Sequence, residues 1–163
     1  MNELDDKDAC ELLDADHIVV KYLFVDYARL AILPDAPATA DQRTALAMKI
    51  CDELTVHAQI EEEIFYLALR EALQGADDLF DKAVAEHQEA KQLIVDIRAI
   101  GTANPTMDTL VAELNVAIEL HVKEERDELF PKTKAAPDLD RVALGEQLYE
   151  RQQQLEAEVT AAA

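Results

Sequence analysis

Tryptophan is absent from this chain, glycine occurs three times, and phenylalanine and tyrosine four times each. Alanine and leucine dominate the apolar half of the composition, and with so little glycine and aromatic content they favour helices over sheets. Cysteine is limited to Cys10 and Cys51, which form neither a CxxC motif nor a disulfide framework. Both read as reduced thiols in a cytoplasmic protein. No apolar run reaches the length of a membrane span, and Met1 is followed by Asn-Glu-Leu-Asp-Asp rather than by a basic stretch, so neither a secretory signal nor a membrane is expected. Basic residues are scarce as well. Against 35 Asp and Glu stand 15 Lys and Arg, a formal net charge of −20. Phosphate contacts need Lys and Arg, so nucleic acid and anionic lipid surfaces are excluded as partners. Most of the acidity reads as a solvated surface.

Apolar residues recur at helical spacing, interrupted only by Pro and Gly clusters. The spacing predicts a first helix from about Asp5 to Leu33, with an inward stripe of Leu13, His17, Val20, Phe24, Ala28 and Ile32. A turn follows at Pro34, with Thr39 or Asp41 as the next cap. The second helix runs from about Ala40 to Leu73 and stops at Gln74-Gly75. A third covers Asp77 to Ile100, before Gly101, and a fourth runs from Pro105, suited to a first turn, to Phe130 before Pro131. Beyond Pro137 a fifth helix carries Leu139, Val142, Leu148, Leu155 and Val159. Short connections make consecutive helices antiparallel neighbours. The expected fold is all-α: an antiparallel up-down-up-down four-helix bundle with an additional C-terminal helix. No linker divides the chain, so residues 1–163 read as a single domain, with the bundle at about 5–132 and the extra helix at about 138–160. That extra helix either caps the bundle or forms a homodimer.

Each of the first four helices carries one histidine near its middle: His17, His57, His87 and His121. In an antiparallel hairpin, equal distance from the turn means equal height, since each residue rises ~1.5 Å. The four therefore fall in one layer. Two of them have a glutamate four residues on, in His57-Ala-Gln-Ile-Glu61 and His121-Val-Lys-Glu-Glu125. Positions i and i+4 share a helix face, so imidazole and carboxylate of one helix can hold one cation. Imidazole suits iron, and carboxylates bridge cations. The halves also repeat. Ala15-Asp16-His17-x-x-x-Lys21 parallels Ala85-Glu86-His87-x-x-x-Lys91, and His57-x-x-x-Glu61-x-x-x-Phe65-Tyr66 parallels His121-x-x-x-Glu125-x-x-x-Leu129-Phe130. A pseudo-twofold site follows, with two imidazoles for each metal and two bridging carboxylates.

Over roughly residues 8 to 132 the chain resembles the hemerythrin HHE cation-binding family, with its His on the first helix, His-x-x-x-Glu on the second, His on the third, and His-x-x-x-Glu ending in Leu-Phe-Pro on the fourth. The resemblance implies a non-haem centre of two iron ions, oxo or hydroxo bridged, in a four-helix bundle. The implied ligands are His17, His57, Glu61, His87, His121 and Glu125. It implies O2 or a related small oxidant as partner. The oxygen carriers of the family have a further histidine on the third helix, spaced by four. Here position 91 is Lys and position 83 is Ala. The carriers also place a carboxylate five residues after the fourth-helix histidine, where this chain has Arg126 and uses Glu125 instead.

Other sites fit less well. Ferritin-like sites need Glu-x-x-His, yet Leu54, Val84 and Ile118 stand three before their histidines, and only Asp14, before His17, is an acid at that spacing. Structural zinc wants cysteine, and haem leaves both glutamates unexplained. Around the layer, Asp16 and Glu86 are either acceptors for imidazole N–H groups or solvated. Lys21 and Lys91 read as surface lysines paired with acids such as Asp26 or Glu86 more readily than as amines beside the metals. Glu62, Glu63, Glu124 and Glu128 read mostly as a solvated face, with one of them filling an open coordination position as the alternative, and Tyr22 and Tyr66 read as amphipathic rim packing more readily than as hydrogen-bond partners near the site. Phe24, Leu54, Val84, Ile94, Leu114 and Ile118 are core candidates. Three functions stay open: a di-iron module binding or sensing O2 or iron, a di-iron enzyme acting on peroxide, NO or ferrous iron, and a metal-free helical interaction protein.

Overall fold

A computed structural model describes residues 7–33 and 36–162. The predicted start of the first helix at Asp5 and the turn at Pro34 lie outside the described residues. Among the described residues there are helices and no strands. Helix α1 (Ala9–Ala31) begins at Asp8, whose side chain accepts from Glu11 N at 3.0 Å while the Glu11 carboxylate accepts from Asp8 N at 3.3 Å. This reciprocal box satisfies two N–H groups that a helix start leaves over. A short 3-10 turn (Ala36–Thr39) leads into α2 (Ala40–Ile60). The same rod continues through a π-helical turn (Glu61–Phe65) into α3 (Tyr66–Ala72). Helix α4 (Asp77–Ile100) stops at Gly101, where φ is +75°. Helix α5 (Pro105–Glu124) has Asn104 as its cap, accepting from Met107 N at 2.8 Å, and Pro105 in its first turn. A second π turn (Glu125–Leu129) leads into α6 (Phe130–Ala135), and α7 (Arg141–Ala162) completes the chain.

Helix α1 packs on α2 and α5, and α4 on α5 and α2, which closes the four-rod bundle. Helix α7 lies outside it, against α1, α2 and the first π turn. Leu144, Leu148 and Leu155 of α7 are buried there, Leu139 and Val159 pack partly against the same core, and Val142 is 51% exposed. Gly145 permits the close seat of α7 on α1. A Cβ there would stand 2.6 Å from Lys7 O and 3.0 Å from Ala9 N.

Two expectations give way to geometry. Ala28 and Ile32 do not face inward, and Ile32 is 81% exposed. Each four-residue step advances about 40° round a helix, so stepping 24, 28, 32 walks off the face. Tyr27 takes the inward position instead and donates to Asp108 Oδ1 at 2.7 Å. Asp108 also accepts from the buried Arg43 of α2, which ties three rods together at this end. The fourth rod likewise does not end before Pro131 but runs on to Ala135. The preceding π turn has already shifted the hydrogen-bond register, so the missing proline N–H breaks no regular ladder.

The buried apolar residues form two clusters. One holds Leu13, Ile60, Phe65, Tyr66, Phe80, Leu129 and the α7 leucines. The other holds Val20, Phe24, Leu54, Ile94, Met107 and Leu114. Between them runs a polar layer: each histidine separates an apolar residue of the first cluster from one of the second, as His17 separates Leu13 from Val20. Cys10 and Cys51 fall in opposite clusters, both as free thiols.

Candidate metal centre

All six predicted residues meet in this layer, and all are at least nine-tenths buried, with Glu61 and Glu125 at 0% exposure. The imidazoles form two pairs. His17 Nε2 lies 3.1 Å from His57 Nε2, and His87 Nε2 lies 3.0 Å from His121 Nε2. Two nitrogens each about 2.1 Å from one ion and at right angles to one another would stand about 3.0 Å apart. The spacing within each pair thus suits two adjacent ligands of one cation. Glu61 Oε1 lies 2.9 Å from His57 Nε2, 3.5 Å from His87 Nε2 and 3.8 Å from His121 Nε2, so it touches both pairs. Glu125 contacts His121 directly. Its carboxylate belongs to two ligand groupings, one with Glu61, His87 and His121 and one with His17 and His57, each spanning no more than 4.8 Å.

Both Glu61 oxygens and Glu125 Oε2 are fully buried without a properly directed hydrogen bond. An unsatisfied buried polar group costs about 1–3 kcal/mol, and more when charged. These orphaned carboxylate oxygens, facing imidazole nitrogens, fit a cation and little else. A metal cation site of His and Glu donors is therefore what the residues present support.

Each imidazole turns its other nitrogen to a carboxylate. His57 Nδ1–H meets Asp16 Oδ2 at 3.1 Å, His121 Nδ1 meets Glu86 Oε1 at 3.4 Å, and His17 Nδ1 meets Asp14 Oδ1 at 3.4 Å. His87 Nδ1 faces Glu62 Oε2 at 3.5 Å, too askew for a good hydrogen bond. Carboxylates in this position fix the proton on Nδ1 and leave Nε2 as donor to a metal. Asp16 and Glu86, left open from the sequence, are thus imidazole partners. So is Glu62, which the sequence placed on a solvated face. Lys91 pairs with Glu62 at 2.8 Å, and not with Glu86. Lys21 is exposed, with no ion-pair partner among the described residues.

Burial and mutual charge set the protonation of the layer. Burial, aided by the His57 charge, pushes His17 down to about 4. For His57, His87 and His121 burial pulls the same way, but the carboxylates outweigh it and all three are raised. Glu125 is pushed up to about 7 by burial and by the charge of Glu61. In the metal-free protein, protons on imidazoles do part of what a cation does.

For Tyr66 the less favoured of the two readings holds: it sits beside the site and not on the rim. Its hydroxyl lies 3.4 Å from both His87 Nε2 and His121 Nε2, and 3.5 Å from Glu125 Oε1. Its ring stacks on His87 with centroids 5.6 Å apart. Burial, then Glu125 and Glu61, raise its pKa well above that of an ordinary phenol. Tyr22, by contrast, is 68% exposed. The π turn explains the placement. Tyr66 N–H donates to Glu61 O, five residues back. In a regular helix five residues leave two side chains about 140° apart. A turn closing i to i+5 brings them onto one face.

A cavity of about 30 Å³ adjoins the imidazoles, walled by Val20, Leu54, Ala90, Ile94 and Ile118. A wider groove of about 350 Å³ between α1 and α5 reaches His17 from the surface, past Lys21, Ile118 and Arg126.

Fold and site together define a helical-bundle protein with a buried His/Glu cation site. A family model, the hemerythrin HHE cation binding domain, matches residues 8–133, and the chain belongs to that family. The fold is also that of a crystal structure of a hemerythrin HHE cation binding domain-containing protein from Mycobacterium kansasii, with a TM-score of 0.76 and 24% identity over 95% of this chain and 91% of that one. At 95% of this chain, that match extends beyond the family model into α7. A curated relative, a DNA nickase of Nostoc sp. strain PCC 7120, is 33% identical over 84 residues, half of this chain. The matched stretch is 23% of that relative's own length. Among the described residues no helix is long and apolar enough to cross a membrane.

Proposed function

We propose that this chain is a non-haem di-iron protein that binds or senses O2 or iron. His17 and His57 would hold one ion, His87 and His121 the other, and Glu61 and Glu125 would bridge them. The observation that carries the reading is the pair of buried carboxylates with unsatisfied oxygens, each lying within 4.8 Å of imidazoles of both pairs or touching them. Two irons so held supply one- and two-electron redox chemistry toward O2, peroxide or NO. The chain's own residues do the rest. The Nδ1 carboxylates keep Nε2 of each ring turned inward. Val20, Leu54 and Ile94 keep bulk water away, and the adjoining cavity of about 30 Å³ admits only a very small molecule. Tyr66 brings an oxygen to the side of His87 and His121 only, as a ligand or as a proton donor.

The test is an iron count with the absorption spectrum of the wild type beside His121→Ala. About two irons per chain are expected in the wild type, with fewer and an altered spectrum in the variant. Fewer than about one metal per chain in the wild type would sink the reading in favour of a metal-free interaction protein. A visible phenolate-to-iron charge-transfer band that disappears in Tyr66→Phe would make Tyr66 a ligand. Its absence would leave Tyr66 a hydrogen-bond donor.

The surface groove ending at His17 favours a second reading, turnover of peroxide, NO or ferrous iron rather than reversible binding. Steady consumption of peroxide by the iron-loaded protein supports it, and a single stoichiometric reaction does not. The net charge of −20 offers no surface for phosphate contacts, so we infer no DNA partner for this chain.

A further inference from the structure

We infer that Gln152 of α7 is a positioning residue for the metal centre, linking the docking of the C-terminal helix to metal occupancy. The inference rests on the reading of His57 as a ligand. Gln152 is 8% exposed, and its Nε2 donates to Asp16 Oδ2 at 2.8 Å. The same oxygen accepts from His57 Nδ1 at 3.1 Å, and His57 Nε2 faces Glu61 at 2.9 Å. A chain of contacts thus runs from α7 to the bridging carboxylate in three steps.

The other imidazole carboxylates are served differently. Asp14 accepts from Arg126 at 2.6 Å and Glu62 from Lys91 at 2.8 Å. Glu86 is held below the usual range, against burial, by His121, then by a hydrogen bond with Glu124, and last by the Lys82 charge. Each of these has a cation nearby that drains its strength as an acceptor. Asp16 has a neutral amide, which orients the carboxylate without neutralising it. Asp16 is also the one among the four whose partner comes from outside the four-rod bundle. A second tie lies beside it: Arg151 Nε donates at 2.9 Å to Glu63, within the π turn that begins at Glu61. Helix α7 therefore grips both the His57 carboxylate and the turn that aims Glu61.

Loss of a group hydrogen-bonded directly to a ligand, as Asp16 is to His57, costs roughly 10–100-fold in metal affinity, and Gln152, which holds Asp16, is expected to act at the lower end of that range. Coupling between two equilibria is reciprocal, so whatever α7 contributes to metal binding, metal returns to α7 docking. The test uses full-length protein and Co(II), whose visible spectrum reports ligand geometry. Gln152→Met keeps the volume and removes the donor. Expected are a metal-free melting temperature within a few degrees of wild type, Co(II) affinity lower by about tenfold, and a shifted spectrum. Gln152→Glu, which places a carboxylate against Asp16, should bind less tightly still. Equal affinity and spectrum in wild type and Gln152→Met would overturn the positioning role while leaving the centre intact. Absence of Co(II) binding by the wild type would remove the centre and the inference with it. Should Gln152→Met not fold, hydrogen exchange of wild-type residues 141–162 decides. Slower exchange on adding Co(II) supports the link, and unchanged exchange overturns it.

Discussion

The hairpin of α1 and α2 supplies His17, His57 and Glu61, and that of α4 and α5 supplies His87, His121 and Glu125. Each places its two imidazole Nε2 atoms 3.0–3.1 Å apart, and each starts a π turn at its glutamate. Asp16, which precedes His17, serves His57, and Glu86, which precedes His87, serves His121. The surroundings then diverge. Phe130 stacks on His17 with centroids 6.1 Å apart, whereas its counterpart Tyr66 stacks on His87 and adds a hydroxyl. Glu62 pairs with Lys91 near His87. The position matching Glu62 is Arg126, so the position matching Lys91, Lys21, has no acid partner and lines the groove instead. Helix α7 packs chiefly on the α1–α2 side and touches the fourth rod at its start, where Arg141 donates to Lys134 O at 3.0 Å. Two imidazole pairs of one pattern thus have different neighbours: one a phenol, the other the groove and the α7 clamp.

The largest effect expected comes from the ligands the two halves share. Glu125→Ala should abolish binding at both positions, while His17→Ala should leave the His87–His121 position partly filled. Metal analysis of the two variants separates them, and equal losses would mean that the positions are not distinct. Acidity acts on both halves together. Above about pH 6.5 the folded, metal-free protein keeps protons on His57, His87 and His121 that the unfolded chain has released, and up to about pH 7 it keeps one on Glu125 as well. Metal-free stability should therefore fall as pH rises through this range. Metal affinity should rise with pH, because binding releases those protons. Denaturant melts and metal titrations at several pH values test the opposed slopes, and parallel slopes would contradict the assignment.

Gly145→Ala touches the clamped side only. Forcing a methyl group against the backbone at Lys7 should cost about 1–3 kcal/mol, read as a lower melting temperature with early loss of protection in α7. The smallest effect on stability is expected from Tyr66→Phe. It removes long hydrogen bonds of 3.4–3.5 Å and should cost no more than about 1 kcal/mol. The same substitution makes the aromatic positions alike, so a spectral difference between the two irons should shrink. Phe130→Tyr, which adds a phenol beside His17, makes the two positions alike from the other side and should shrink the same difference.

The layer of four histidines was legible because it needs only the rise per residue and the position of each turn. The i+4 glutamates were legible for the same reason. Tyr66 was less so, because a regular helix turns it away from Glu61 and nothing in the composition announces a π turn. A signal did exist: an aromatic residue stands five after each glutamate, at Tyr66 and at Phe130. Asp14, Glu62 and Gln152 were hidden for another reason. In an acidic chain, which carboxylates meet an imidazole depends on how the rods are rotated about their axes, and periodicity fixes that rotation only loosely. The drift from Tyr27 to Ala28 in the predicted stripe shows how small an angular error misassigns a face.

The two hairpins are joined by the short passage from Leu73 to Ala76, where Gly75 turns the chain at a φ of +77°. In a homodimer of separate hairpins, twofold symmetry would copy every substitution to both sides. Tyrosine beside one imidazole pair would mean tyrosine beside the other, and an arginine at one mouth would stand at both. The covalent turn removes that constraint. It lets one half evolve toward opening and steering while the other is tuned for its oxygen donor, within a frame that still closes as if it were symmetric.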